Sequence, residues 1–226
     1  MMSCPYDVII PAWNSQDTII ETLVAISNQT VKPAKVIVID DGSTDKTAEV
    51  ALASGLVTTL ISITNGGVGA ATTRGFAELE ADVTAFCDAD DIWFPDKIEK
   101  QLAVLLRHDG PDAVCGDMTV FQDLPAGRTL GKTIQFWGRS VLVMKTQAIR
   151  QIGPVIDPPG GRGDMVDWIS RGRDLGLRFE CLSEALAYRR MRAGSLSFNK
   201  NPKQDIGYLH AVHAAILRKR EKGQAT

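Results

Sequence analysis

Four short runs of β-branched and aliphatic residues, at positions 6–12, 35–39, 57–63 and 83–87, alternate with stretches whose apolar residues recur every three or four positions. Such runs read as strands buried on both faces, and the periodic stretches between them read as helices. Within residues 15–28, Ile19, Leu23 and Ile26 share one helical face, with Ile20 and Val24 beside them; within 95–107, Ile98, Leu102 and Leu105 point inward. Helices are also expected over 45–50 and 69–79. Strands that alternate with helices require crossover connections, which are right-handed and produce a mainly parallel sheet covered on both faces.

Ligands in such sheets bind beyond the carboxyl ends of the strands. The polar clusters Asn14-Ser15, Asp40-Asp41, Asn65-Gly66-Gly67 and Asp88-Ala89-Asp90 each follow a strand, so one edge should collect them all. The second half is less regular. Residues 113–121 and 140–145 read as strands, 146–151 as a short helix ended by Gly153-Pro154, and 158–163 as a Gly- and Pro-rich loop. A helix over 165–175, an extended segment over 177–190 and a last helix over 202–220, with Ile206, Leu209, Val212 and Ile216 on one face, complete the chain.

With 226 residues, 44% hydrophobic and 23% charged, the chain can bury one substantial core. It reads as a single domain over 1–226: a ligand-binding half over 1–110, a second half over 111–200 and a terminal helix over 201–226. A net charge of −2 gives no electrostatic case for nucleic acid. Cys4, Cys87, Cys115 and Cys181 form no C-x-x-C pair and have no histidine at zinc-ligand spacing, so they read as small hydrophobes of a reducing compartment. No signal-peptide pattern opens the chain and no apolar run approaches membrane-spanning length, so a cytoplasmic location is expected.

Asp88-x-Asp90 carries the clearest chemistry. On an extended backbone two acids so spaced point the same way, and hard oxygen ligands suit Mg²⁺ or Mn²⁺ shared with substrate phosphates. A capping role is the alternative, because Trp93-Phe94-Pro95-Asp96 resembles a helix start. Gly67-Val68-Gly69, with Asp88 about twenty residues on, matches part of a dinucleotide-binding fingerprint. The third glycine of that fingerprint is Thr72 here, and the segment follows the third strand rather than the first.

Ile9-Ile10-Pro11-Ala12-Trp13-Asn14, Val38-Ile39-Asp40-Asp41-Gly42-Ser43-Thr44-Asp45, Asn65-Gly66-Gly67-Val68-Gly69-Ala70-Ala71 and Cys87-Asp88-Ala89-Asp90-Asp91, in that order, resemble the family 2 glycosyltransferases of GT-A fold. The resemblance implies an α/β, Rossmann-like, mainly parallel central sheet with helices on both faces and an acceptor-side second half. It implies a nucleoside diphosphate sugar donor, expected to be a UDP-sugar, contacted by Pro11, Ala12, Trp13, Asn14, Asp41, Asn65, Gly67, Arg74, Ala89 and Arg192. Asp88 and Asp90 would hold Mn²⁺ or Mg²⁺ on the diphosphate. An inverting reaction is expected, with a carboxylate as general base on the acceptor.

The sequence departs from the family at three places. Ala71-Thr72-Thr73 stands where Ala-Arg-Asn is common, leaving Arg74 as the nearby cation. Gly163-Asp164-Met165-Val166-Asp167-Trp168 puts Met165 where an ungapped comparison places the base, so Asp164 is expected to serve, with Asp167 as the other candidate; helix capping is the competing role for Asp164. Arg192 stands where a histidine is frequent, and it can pair with phosphate but cannot ligate a metal. These departures keep open a second function, a nucleotide- or partner-binding module without turnover. His210 and His213 lack a nearby acid, and the four tryptophans read as packing, with Trp13 beside the donor loops as the exception. Arg218-Lys219-Arg220 allows peripheral contact with an anionic membrane. The acceptor is expected to be a glycan, lipid, peptide or small molecule.

Overall fold

The computed structural model describes residues 4–124, 127–191 and 202–224, with side chains of the last segment described over 206–220. β1 (Tyr6–Ala12), β2 (Lys35–Asp40), β3 (Thr59–Ser62) and β4 (Val83–Phe86) run parallel in the spatial order β3-β2-β1-β4. The crossovers carry α1 (Ile19–Ser27), α2 (Thr47–Ala53) and α3 (Val68–Gly75). Beyond β4 the sheet continues through β8 (Val143–Lys145), β6 (Ala113–Leu124), β9 (Phe179–Arg190) and β5 (Ile92–Trp93), and β7 (Gly127–Phe136) pairs with β6. This is a mixed α/β fold with a central, mostly parallel sheet, as the alternation requires.

Successive strand residues face opposite sides, and the core divides accordingly. Val8, Ile10, Val36 and Val38 pack with Ile19, Leu23 and Ile26 of α1 and with Ile98, Leu102 and Leu105 of α4 (Lys97–Leu105). Ile9, Ile37, Ile39 and Phe86 face the other way, onto Ala71 of α3, Ile149 of α5 (Thr146–Ile152) and Trp168 of α6 (Asp164–Asp174). Each fully buried aliphatic side chain of this kind contributes about 1.5–3 kcal/mol. Ile20 and Val24, beside the inward stripe of α1, stay exposed.

Several local expectations are corrected by pairing. The helix expected from residue 95 begins at Lys97, with Asp96 at its N-cap, and Ile92 and Trp93 before it pair antiparallel with Tyr188 and Ala187 as β5. The strand expected over 140–145 splits into a 3-10 turn, Arg139–Val141, and then β8. The hairpin strand β7 was not anticipated, since it is solvent-facing along nearly all its length and carries no buried alternation. α7 (Pro202–Gln224) buries Gly207 and Ala211, while Ile206, Leu209, Val212 and Ile216 face outward. Gly207 lies so close to the Arg162 carbonyl and Pro158 that no side chain would fit.

β8 runs antiparallel to β4. The turn that opens β8 therefore arrives at the carboxyl end of β4, where the acidic segment begins.

Candidate active site

The loops after β1 and β2 are stitched together. Asn14, with φ +46°, accepts at Oδ1 from the Thr44 backbone N–H at 2.8 Å, and its own N–H donates to Ser43 Oγ at 3.0 Å. The Asp41 N–H donates to the Ala12 carbonyl at 2.8 Å. Asp41 then reaches the third loop, where its carboxylate accepts from the Gly66 and Gly67 N–H groups at 2.8 and 3.0 Å, and Asn65 Nδ2 donates to the Asp41 carbonyl at 2.9 Å. Burial raises the Asp41 pKa, helped by the charges of Asp157 and Asp40 and opposed by the two glycine N–H groups. Thr18 Oγ1 closes the ring by donating to the Ala89 carbonyl at 3.0 Å. Four clusters distant in sequence thus share one edge of the sheet.

The glycine-rich start of α3 is engaged by a carboxylate from the second half. Asp157 accepts from the Gly69 and Ala70 N–H groups at 2.9 and 3.1 Å. Gly67, at φ +95°, and Gly69 leave room for it; a Cβ on either would meet Asp157 Oδ2 at 2.8 Å. Since Asp157 caps this helix terminus, the phosphate cradle a dinucleotide fold needs at that place is filled. Thr72 is buried and donates within its helix to the Val68 carbonyl. Arg74, near the end of α3, forms an ion pair at 2.8 Å with Glu78 of the 3-10 turn that follows, so this pairing, not the donor loops, accounts for its position.

The segment Asp88-Ala89-Asp90-Asp91 is clamped from two sides. Ser140 Oγ accepts from the Asp88 N–H at 3.0 Å and donates to Asp91 Oδ2 at 2.5 Å. From β9, the Arg190 N–H donates to Asp91 Oδ1 at 3.0 Å, and Arg190 Nε donates to the Asp90 carbonyl at 3.0 Å. Burial, with the nearby charges of Asp90 and Asp88, holds the Asp91 carboxyl well above the usual carboxylate range. Asp91 therefore organises the loop, whereas Asp88 remains 34% exposed at the mouth.

Arg139, which sequence reasoning missed, unites the two halves. Its Nε donates to Asp88 Oδ1 at 2.7 Å, and its Nη1 pairs with Asp164. The guanidinium is buried; burial opposes its charge, but Asp164 and Asp88 outweigh that cost and raise its pKa. Asp164 opens α6 directly after Gly163, which holds the left-handed N-cap position, and is itself buried. Asp167 lies one turn position on and faces elsewhere. It pairs with Arg171 and with Arg218 of α7, each at 2.9 Å. Three residues along a helix rotate a side chain by about 60° from its starting direction, enough to exchange the sheet mouth for the neighbouring helix. Met165 is packed in the core with Trp168 and Ile169.

Among the other candidates, Trp13 is 54% exposed beside the first loop, while Trp93 and Trp168 are buried. Trp137 lies under the Arg173 guanidinium. His210 and His213 are exposed on α7. Arg192 lies outside the described residues. The four cysteines are free, Cys87 and Cys115 buried. Among the described residues no group of three or more His, Cys, Asp or Glu side chains forms a ready metal cage, and no helix is long and apolar enough to cross a membrane. Asp88 and Asp90 fit a hard divalent ion only where phosphate oxygens complete its shell, a mode typical of Mg²⁺.

Comparison with known proteins bears on the family and the fold. Amylovoran biosynthesis glycosyltransferase AmsB of Erwinia amylovora is 28% identical over 246 residues, covering 97% of this chain and 81% of AmsB. Glycosyltransferase RT0329 of Rickettsia typhi is 33% identical over 111 residues, covering 48% of this chain and 35% of its own length, so this chain spans about a third of that relative. S. aureus TarS in complex with UDP-GlcNAc superposes with a TM-score of 0.75 at 19% identity, covering 95% of this chain and 66% of the other. Glucosyl-3-phosphoglycerate synthase of Mycobacterium tuberculosis, in complex with Mn²⁺, UDP and phosphoglyceric acid, gives 0.69 at 20% identity, covering 93% and 78%. The fold is thus that of the GT-A glycosyltransferases. With its residues 7–171 matching the description "Glycosyl transferase family 2", the chain belongs to that family of glycosyltransferases.

Proposed function

We propose that this chain transfers a sugar from a UDP-sugar to a nucleophilic acceptor, with inversion at the anomeric carbon and dependence on Mn²⁺ or Mg²⁺. One observation carries the proposal: a family 2 chain in which the acid after β4, Asp88, and the acid that opens α6, Asp164, meet on one guanidinium at the sheet mouth. The UDP complexes of TarS and of glucosyl-3-phosphoglycerate synthase support the choice of nucleotide, and the Mn²⁺ in the latter supports the metal.

The stitched loops of Pro11–Asn14, Asp41 and Asn65–Gly67 form the nucleoside side, where the Asp41 carboxylate can accept a ring N–H of the base. Trp13 offers an exposed ring to stack on it. Asp88 and Asp90 hold the cation, which when bound offsets charge on the departing diphosphate. Asp164 takes the proton from the acceptor as the acceptor attacks the face opposite the diphosphate. Asp167 and Arg74, committed to ion pairs elsewhere, have no part in this scheme.

The rival reading, a binding module without turnover, draws on the burial of Met165 where the family's base is expected. Incubation with a panel of nucleotide sugars and Mn²⁺ separates the two. Release of UDP by the native chain, lost in Asp90→Ala and reduced at least a hundredfold in Asp164→Asn, is the expected result. UDP binding with no turnover of any donor would establish the module instead.

A further inference from the structure

We infer that Arg139 is a positioning residue that keeps the acceptor-side acid Asp164 off the donor-side cation; the inference rests on the roles proposed above for Asp88 and Asp164. One planar group binds a different carboxylate through each of two nitrogens, Asp88 through Nε and Asp164 through Nη1. Asp88 comes from the strand edge that carries the metal acids, and Asp164 from the helix that opens onto the second half. Without a cation between them, two carboxylates this close would repel each other or share whatever divalent ion arrives.

A carboxylate bound to the metal would be a poor base, because a dication lowers its affinity for the acceptor proton more than a singly charged guanidinium does. Arg139 fills the place such an ion would take. It is always charged and its fork is rigid, so it holds both acids at a set spacing without itself ligating metal. The surroundings fit a device rather than a core ion pair. A buried ion pair is weak evidence for stability, and apolar packing usually replaces one at little cost. Here the adjacent Ser140 holds the Asp88 N–H and Asp91, so the same turn that sets the acids' spacing also fixes the backbone of the acidic loop.

The test reads the affinity of the folded chain for Mn²⁺ alone, by calorimetry or Mn²⁺ electron paramagnetic resonance, with no donor present. Arg139→Met is expected to bind Mn²⁺ at least about tenfold more tightly than the native chain, since a cation is removed from between two acids. Asp164→Asn added to Arg139→Met should abolish that gain, and Arg139→Lys should show little of it. UDP-sugar turnover should fall in Arg139→Met although the metal is held better, a combination that a merely structural role would not produce. Unchanged or weaker Mn²⁺ binding in folded Arg139→Met, or a gain that survives Asp164→Asn, overturns the inference. Should Arg139→Met not fold, Arg139→Gln takes its place with the same two outcomes. Because the metal readout uses no donor, failure of the glycosyltransferase reading shows separately, as absence of UDP release by the native chain.

Discussion

Gly69 and Lys97 show how single residues set the limits of this fold. A methyl group on Gly69 would meet Asp157 Oδ2 at 2.8 Å and Cγ at 2.9 Å, so Gly69→Ala must push the carboxylate from the α3 terminus. Better helix propensity returns about 1 kcal/mol, whereas overpacking costs about 1–3 kcal/mol and the cap is lost as well. The net loss of about 1–3 kcal/mol means a fall in melting temperature of at least about 2–4 °C for a chain of this size, and a rise would refute the packing argument. Lys97 is wholly buried, bonds Gln101 at 2.7 Å and lies 4.1 Å from the centre of the Trp93 ring. Burial pushes its pKa down to about 7 from the usual 10.5. Above pH 7 the unfolded chain binds this proton and the folded chain does not, so stability should rise with pH from about 7. Near pH 9 the buried thiols of Cys87 and Cys115, which burial keeps protonated in the folded state, begin to reverse the slope. Denaturant titrations between pH 7 and 9 should show the rise in the native chain and a flatter profile in Lys97→Met.

Elements behave less simply than their sequences suggest. The strand-helix alternation of the first hundred residues was legible because β1, β2 and β4 are buried on both faces and the helices between them on one stripe, so hydrophobicity marks them, while the edge strand β3 is only half-buried. β7 escaped notice because a strand facing solvent owes its existence to pairing with β6 rather than to its composition. α7 was legible as a helix, but its orientation was not. Its attachment to α6 depends on close approach at Gly207 and on Arg218, which bonds Asp167, Asp174 and Ser170. Arg218→Ala is therefore expected to loosen α7, seen as faster tryptic cleavage after the remaining sites Lys219 and Arg220, with the rest of the chain resistant. Equal protection in the variant and the native chain would assign the docking to the backbone contacts alone.

At the scale of the whole molecule, the nucleoside-side loops come from the first half and the proposed base from the second, joined by Arg139 and Asp157. Donor binding should accordingly stabilise the entire chain, and UDP with Mn²⁺ should raise the melting temperature more than the sum of either alone. Additive shifts would mean that the ion and the diphosphate do not share a site. The amino-acid sequence by itself determined the parallel strands β1 to β4 and the edge at which their polar clusters gather, the segment of Asp88 and Asp90 among them, because these follow from hydrophobic periodicity and from polar residues placed at strand ends. Only the tertiary structure decided that Asp164 rather than Asp167 faces that edge, that Asp157 fills the α3 terminus and that Arg139 stands between the two halves. Those contacts span 25 to 88 positions of chain, and no local pattern encodes a pairing that exists only once antiparallel β8 brings its opening turn to the end of β4.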